Sequence, residues 1–145
     1  MKKILNEQLR KFNYLVGEIG EAYHAAALKL GLSDSAMSVM YALLGEGGAC
    51  RISSICRLTG VSKQTVNSAL RKLEAEGIIR LNAVDGKQKS AELTEKGAEL
   101  AEATVAKLIA AENRIFGAWT EQERAEYLRL TRVYLDGLKK EIDTF

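Results

Sequence analysis

Eight polar side chains crowd into the eleven residues from Ser62 to Lys72: Ser62, Lys63, Gln64, Thr65, Asn67, Ser68, Arg71 and Lys72. Gln64 and Asn67 each offer a donor and an acceptor side by side. Arg71 offers a rigid fork of N–H groups, the lysines offer point charges, and the hydroxyls both give and take hydrogen bonds. Such a set suits many-point hydrogen bonding to an anionic surface rather than bond making. The rest of the chain does not argue for catalysis. A single histidine excludes most histidine-based constellations, and there is no glycine-rich phosphate loop, no G-x-S-x-G and no Cys/His cluster with metal-ligand spacing. Glu74 and Glu76 stand two apart, on different helix faces, and form no acid–base pair. A non-enzymatic binding protein is expected, with no cofactor and no metal.

The elements that must hold these side chains follow from the apolar residues among them. Val66, Ala69, Leu70 and Leu73 fall at i, i+3, i+4 and i+7, the spacing of a buried helical stripe. A helix is therefore predicted from Ser62 to Glu76, with Ser62 as N-cap and Gly77 as its end. Upstream, Ile52 to Leu58 reads as a short helix, and Thr59-Gly60-Val61 as the turn after it. Downstream, Ile78 to Leu81 reads as a strand, residues 84–90 as a polar basic loop, and Ala91 to Leu93 as the return strand. Helix, turn, helix and a hairpin with a basic tip make a winged helix-turn-helix.

On these residues the chain resembles the MarR family of transcriptional regulators. The resemblance is carried by GVSKQTVNSALRKLEAEGII, by an aspartate (Asp85) eight residues before Leu93, and by Thr94-Glu95-Lys96-Gly97. It implies a mainly α fold with a small β-wing. The order would be helix, helix, strand, helix, helix, strand, wing, strand, helix, helix, with a dimer formed through the N- and C-terminal helices. It also implies sequence-specific binding of double-stranded DNA, as a homodimer on a pseudo-palindromic operator, and a ligand-responsive repressor. The helix from Ser62 would enter the major groove. There Gln64 and Asn67 could bond adenine, and Arg71 guanine or a phosphate. Ser62, Thr65 and Ser68 suit phosphates or base edges, and Lys63 and Lys72 suit phosphates. The wing would add Asp85, Lys87 and Lys89. The family usually carries Asp-x-Arg there, whereas this chain has Asp85-Gly86-Lys87, which keeps the charge but loses the planar fork. A wing that contacts phosphates but reads the minor groove weakly is expected.

The charge distribution agrees. The net charge is only +2, but residues 51–89 hold eight basic residues against three acidic ones, a net +5 that leaves −3 for the rest. A winged helix that binds only a protein partner, without sequence-specific DNA binding, is the alternative; it would carry an acidic or apolar face where this basic one lies. With 145 residues, a single domain is expected, and 47% hydrophobic residues are ample for its core. No apolar run approaches the roughly 18 residues of a membrane span. The N-terminus has no apolar region of a signal peptide, so no membrane contact and a cytoplasmic location are expected.

The flanks frame this unit. Leu5, Leu9, Phe12, Val16, Ile19, Tyr23, Ala26 and Leu30 repeat at alternating spacings of four and three, a heptad seam on a helix from about Lys3 to Leu30. A subunit interface is favoured for it over packing within one chain. Gly31 ends that helix. Ser33 or Asp34 caps the next, whose stripe is Met37, Met40, Tyr41 and Leu44, and residues 49–51 could add a minimal strand. Thr94 should cap a helix running to about Phe116, with a break at Gly117. Thr120 and Glu123 form a capping box for a last helix to about Ile142, striped by Tyr127, Leu130, Tyr134, Leu138 and Ile142. The resulting division is residues 1–31 and 117–145 for dimerisation, 33–93 for the winged helix-turn-helix, and 94–116 for a connecting helix. The resemblance further implies a small aromatic or phenolic effector. Tyr14, Tyr23, His24, Met37 and Tyr41 are the candidate lining, although core or interface packing is the simpler role for each. Cys50 and Cys56 make no disulfide framework. Cys56 is expected to be a buried, inert hydrophobe, and a redox role for Cys50 is disfavoured.

Overall fold

The computed structural model describes residues 4–84 and 88–145. Among them the chain forms seven helices and a three-stranded antiparallel sheet. The helices are α1 (Glu7–Leu30), α2 (Asp34–Gly45), α3 (Ile52–Thr59), α4 (Lys63–Ala75), α5 (Glu95–Ala103), α6 (Val105–Ala118) and α7 (Glu121–Ile142). The strands are β1 (Ala49–Arg51), β2 (Ile79–Val84) and β3 (Gln88–Leu93). The chain divides into two compact units, Met1–Ile109 and Ala110–Phe145, with the boundary inside α6. Among the described residues, no helix is long and apolar enough to cross a membrane.

The core of the first unit is built around α2. Met37, Val39, Met40, Ala42 and Leu43 are all buried, so α2 is covered on more than the single stripe expected, while Tyr41 and Leu44 are half-buried against the core. Ile55 of α3 and Val66, Ala69, Leu70 and Leu73 of α4 close over it. All four predicted stripe residues of α4 are thus inside. β1 is the short strand anticipated at 49–51, and it pairs with the far side of β3, giving the sheet order β1-β3-β2. The hairpin strands are longer than expected. β2 runs to Val84, and β3 starts at Gln88 rather than Ala91, because the ladder is made by backbone groups whatever the polarity of the side chains.

Three helix boundaries differ from expectation. α1 begins at Glu7, because the Asn6 side chain accepts from the amides of Gln8 and Leu9 at 2.9 and 3.2 Å and so caps it; Lys3, the expected start, lies outside the described residues. The long helix after Thr94 is interrupted at Thr104 (φ −123°, ψ −87°), which divides it into α5 and α6. The Thr104 hydroxyl donates to the Leu100 carbonyl at 2.6 Å, and Thr104 is itself buried. This is the local competition with helical bonding that threonine brings. Gly117, expected to break the helix, lies within α6, which continues to Ala118. A glycine costs a helix interior only about 1 kcal/mol relative to alanine, too little to stop it alone.

In the second unit, α7 starts with the capping box: Glu123 N donates to Thr120 Oγ1 at 3.1 Å, and Thr120 N to Glu123 Oε1 at 2.8 Å. These bonds from Thr120 hold the Glu123 carboxyl below its usual range. The rings of Phe116, Trp119 and Tyr127 pack together at the turn, and the Arg124 guanidinium donates to the Phe116 and Trp119 carbonyls.

Candidate nucleic-acid interface

The turn between α3 and α4 is held by its own side chains. Gly60 takes the left-handed conformation at φ +67°, and its amide donates to the Cys56 carbonyl. The Thr59 hydroxyl donates to the Ile55 carbonyl at 2.8 Å and accepts from the Val61 amide at 3.2 Å. Ser62 then caps α4 as expected, accepting from the Thr65 amide at 3.2 Å. Its hydroxyl also donates to Thr65 Oγ1 at 2.9 Å, and the Ser68 hydroxyl donates to the Gln64 carbonyl at 3.1 Å. The hydroxyl hydrogens of Ser62 and Ser68 are thus taken by local acceptors, while Thr65 Oγ1 accepts from Ser62, so that Ser62 serves chiefly as the cap of α4.

The strongest concentration of groups lies on the other flank of α4. A groove of about 850 Å³ is lined by Arg51, Ile52, Ser53 and Cys56, by Lys63, Asn67, Leu70 and Arg71 of α4, and by Leu81 and Lys89 of the hairpin. Four cations therefore surround an apolar floor, between the helix proposed to read bases and the wing. The structure brings Lys63, Asn67, Arg71 and Lys89 to this one groove. Gln64, Thr65, Ser68 and Lys72 are on the exposed side of α4 outside its lining. Arg51 and Ser53 were not among the expected site residues. The pairing of β1 with β3 sets Arg51 opposite Ser90, and Ser53 follows in the first turn of α3. Asp85 and Lys87, the expected wing-tip pair, lie outside the described residues.

Arg80, part of the basic segment, is otherwise engaged. Its Nη1 donates to Glu92 Oε1 at 2.8 Å across the strands, and Asn82 Nδ2 donates to the same oxygen at 3.1 Å. The bond from Asn82, then that from Arg80, lowers the Glu92 carboxyl below its usual range. The charge offered at the groove thus comes from Arg51, Lys63, Arg71 and Lys89.

Cys56 is half-buried at the groove floor rather than fully inside. Cys50 is also half-buried, and burial, with the charge of Glu46 adding to it, pushes its thiol up, which leaves less thiolate at neutral pH.

The five residues suggested as an effector lining are scattered by environment. Met37 is a core residue at 5% exposure, and Tyr41 is half-buried against that core. His24 Nδ1 lies 2.9 Å from both carboxylate oxygens of Asp34, joining α1 to the start of α2. Tyr14 and Tyr23 are exposed; nine residues apart on α1, they project from opposite sides of that helix.

Residues 30–88 match the model of the MarR family, which covers α2 through the first residue of β3. Among solved structures, a MarR-family transcriptional regulator from Silicibacter pomeroyi is 26% identical, with a TM-score of 0.65 over 86% of this chain and 88% of that one. NMB1585, a MarR-family regulator from Neisseria meningitidis, is 19% identical with a TM-score of 0.82 over 96% and 98% of the two chains. Sco3205, a MarR-family regulator from Streptomyces coelicolor solved in complex with DNA, is 18% identical with a TM-score of 0.69 over 95% and 92%. No curated protein sequence matches the chain. The match to the MarR family model thus falls on the winged helix-turn-helix, residues 30–88, and along nearly its whole length the chain has the fold of MarR-family winged-helix regulators.

Proposed function

We propose that this protein is a cytoplasmic repressor that binds a pseudo-palindromic DNA operator as a homodimer and is released by a small aromatic or phenolic effector. The observation that carries the DNA reading is the groove that gathers Arg51, Lys63, Arg71 and Lys89 around Asn67. Lysines and arginines there match the phosphates of one DNA strand, while Asn67 and Arg71 supply the planar pairs that distinguish adenine and guanine in the major groove. Gln64, Thr65, Ser68 and Lys72 add the exposed side of α4 outside that groove, Lys89 adds the hairpin, and Asp85 and Lys87 are taken as further DNA contacts on the family resemblance.

The terminal helices support the homodimer. Along α1, Phe12, Val16 and Ile19 remain 47–53% exposed, although they lie on the heptad seam. Only the end of that seam, Ala26 and Leu30, packs onto the core. Apolar stripes left this open on two helices call for a covering surface, and a second copy supplies one of matching character.

The effector reading rests on the family resemblance and on the tyrosines of α1 and α2. It takes Tyr23 and Tyr41 as the more promising pair, because Tyr14 projects from the opposite side of α1 and Met37 serves the core.

Selection of bound duplexes from a random library, followed by footprinting, tests the reading. It should yield an inverted repeat with half-sites about 34 Å apart, one DNA turn. Recovery of no common sequence would contradict it. Screening phenolic carboxylates for release of the selected duplex then tests the effector.

A further inference from the structure

The end of α4 and the start of α5 are joined by hydrogen bonds to successive backbone carbonyls. Three successive carbonyls, those of Glu76, Gly77 and Ile78, leave the end of α4, and each is taken by the first turn of α5 or its cap. Lys96 Nζ donates to the Glu76 carbonyl at 2.9 Å, the Thr94 hydroxyl donates to the Gly77 carbonyl at 2.6 Å, and the Thr94 amide donates to the Ile78 carbonyl at 3.0 Å. The same Thr94 oxygen accepts from the Gly97 amide at 3.0 Å and so caps α5. One hydroxyl thus serves the exit of one helix and the entry of the other. Gly97 permits the approach: a Cβ at that position would stand 1.9 Å from the Ile78 carbonyl oxygen, with backbone on the far side that has no flexible end to move. The exit itself is fixed by Gly77 at φ +74°, with Ile78 N donating to the Leu73 carbonyl and Gly77 N to the Glu74 carbonyl.

We propose that Thr94, Lys96 and Gly97 are positioning residues for DNA reading, holding α4 at the angle at which Asn67 and Arg71 reach base edges. This rests on the sequence-specific DNA reading proposed above. From Glu76 back to Asn67, α4 is a lever of about 13 Å at 1.5 Å per residue, so a tilt of about 5° at the joint displaces Asn67 by about 1 Å. A bidentate bond to a base does not survive that error, because hydrogen bonds occupy a window of a few tenths of an ångström. Lysine contacts to phosphates do survive it, since the side chain is long and flexible and the phosphate backbone is continuous. Loosening the joint therefore erases discrimination between sequences before it erases affinity for DNA.

The test compares wild type with Thr94→Val, Gly97→Ala and Lys96→Met, and with the conservative Thr94→Ser and Lys96→Arg. Each folded protein is titrated against the library-selected duplex and a scrambled one at fixed salt, with a thermal melt alongside. Thr94→Val and Gly97→Ala should cut the ratio of selected to scrambled affinity about tenfold, the scale of one lost bidentate contact, while scrambled affinity and its salt slope stay within about twofold. Lys96→Met should cut the ratio less, and the two conservative variants should keep it. Lys96 is exposed, so its variant remains informative if a buried one fails to fold. If wild type discriminates and the three disruptive variants discriminate equally well while only their melting temperatures fall, the inference is overturned and the DNA reading stands. If wild type itself does not discriminate, the DNA reading fails and the inference falls with it.

Discussion

α4 and α7 start alike and end up in opposite surroundings. Each begins with a hydroxyl cap, Ser62 in one and Thr120 in the other, and each carries an apolar stripe at helical spacing. Yet Val66, Ala69, Leu70 and Leu73 of α4 are all at 8% exposure or less, while Tyr127, Leu130, Tyr134, Leu138 and Ile142 of α7 stay at 44–52%. A helical stripe states that a face is to be covered, and the rest of the structure decides whether the cover comes from the same chain. The DNA-reading unit provides its own cover, and so presents a pre-shaped face to its ligand. α7 is left needing one.

The sharpest way to break this contrast is to truncate a leucine in each helix. Leu70→Ala should cost about 2–5 kcal/mol in urea unfolding. Leu138→Ala should act mainly through assembly, so that its unfolding midpoint depends more steeply on protein concentration. A loss for Leu138→Ala that is independent of concentration would show that α7 is covered within its own chain. Next in size, Asn67→Ala should weaken binding to selected DNA by about 1–3 kcal/mol and leave scrambled DNA unaffected; equal losses on both would remove Asn67 from base reading. Caps come third. Ser62→Ala should destabilise the fold by about 1 kcal/mol, measured by chemical denaturation. The matching Thr120→Ala should fray the start of α7, seen as faster amide exchange in its first turn.

The smallest effect concerns the wing. Glu92 is held below the ordinary carboxylate range by Asn82 and Arg80, so its contribution to stability is present above the unfolded-state value near pH 4.3 and is lost as pH falls through the lower folded value. Glu92→Gln should flatten the fall in melting temperature across that acid range. An unchanged acid slope would show that the pair with Arg80 contributes nothing in solution, the common fate of exposed ion pairs.

Local rules made much of this molecule legible. The α4 stripe spans two helical turns, while the glycine stop at Gly31 and the caps at Ser62, Thr94 and Thr120 each involve residues within one turn of each other, and all are found in the structure. What escaped depends on distant partners or on competing local bonds. Thr104 fits a helical stripe as well as any neighbour, and only its hydroxyl bond to Leu100 and its burial mark the break. Gly117 reads as a stop, but a lone glycine costs a helix interior only about 1 kcal/mol, and α6 continues past it to Ala118. β3 extends through Gln88 and Lys89 because β2 lies opposite, not because those side chains favour a strand. In the groove, Asn67, Arg71, Lys63 and Lys89 could be picked by residue type, whereas Arg51 enters through a strand pairing between residues 49–51 and 90–92, about forty residues apart in sequence, and Ser53 through the helix that follows that strand.

The central claim is that the groove beside α4 reads a particular DNA sequence. Fluorescence-anisotropy titration against the native upstream intergenic duplex and a scrambled duplex, at two salt concentrations, tests it most directly. Tighter binding to the native duplex, weakening steeply with salt as condensed counterions are released, is the predicted result. No binding to either duplex at low salt, by a folded protein, would contradict it and favour a winged helix that recognises another protein.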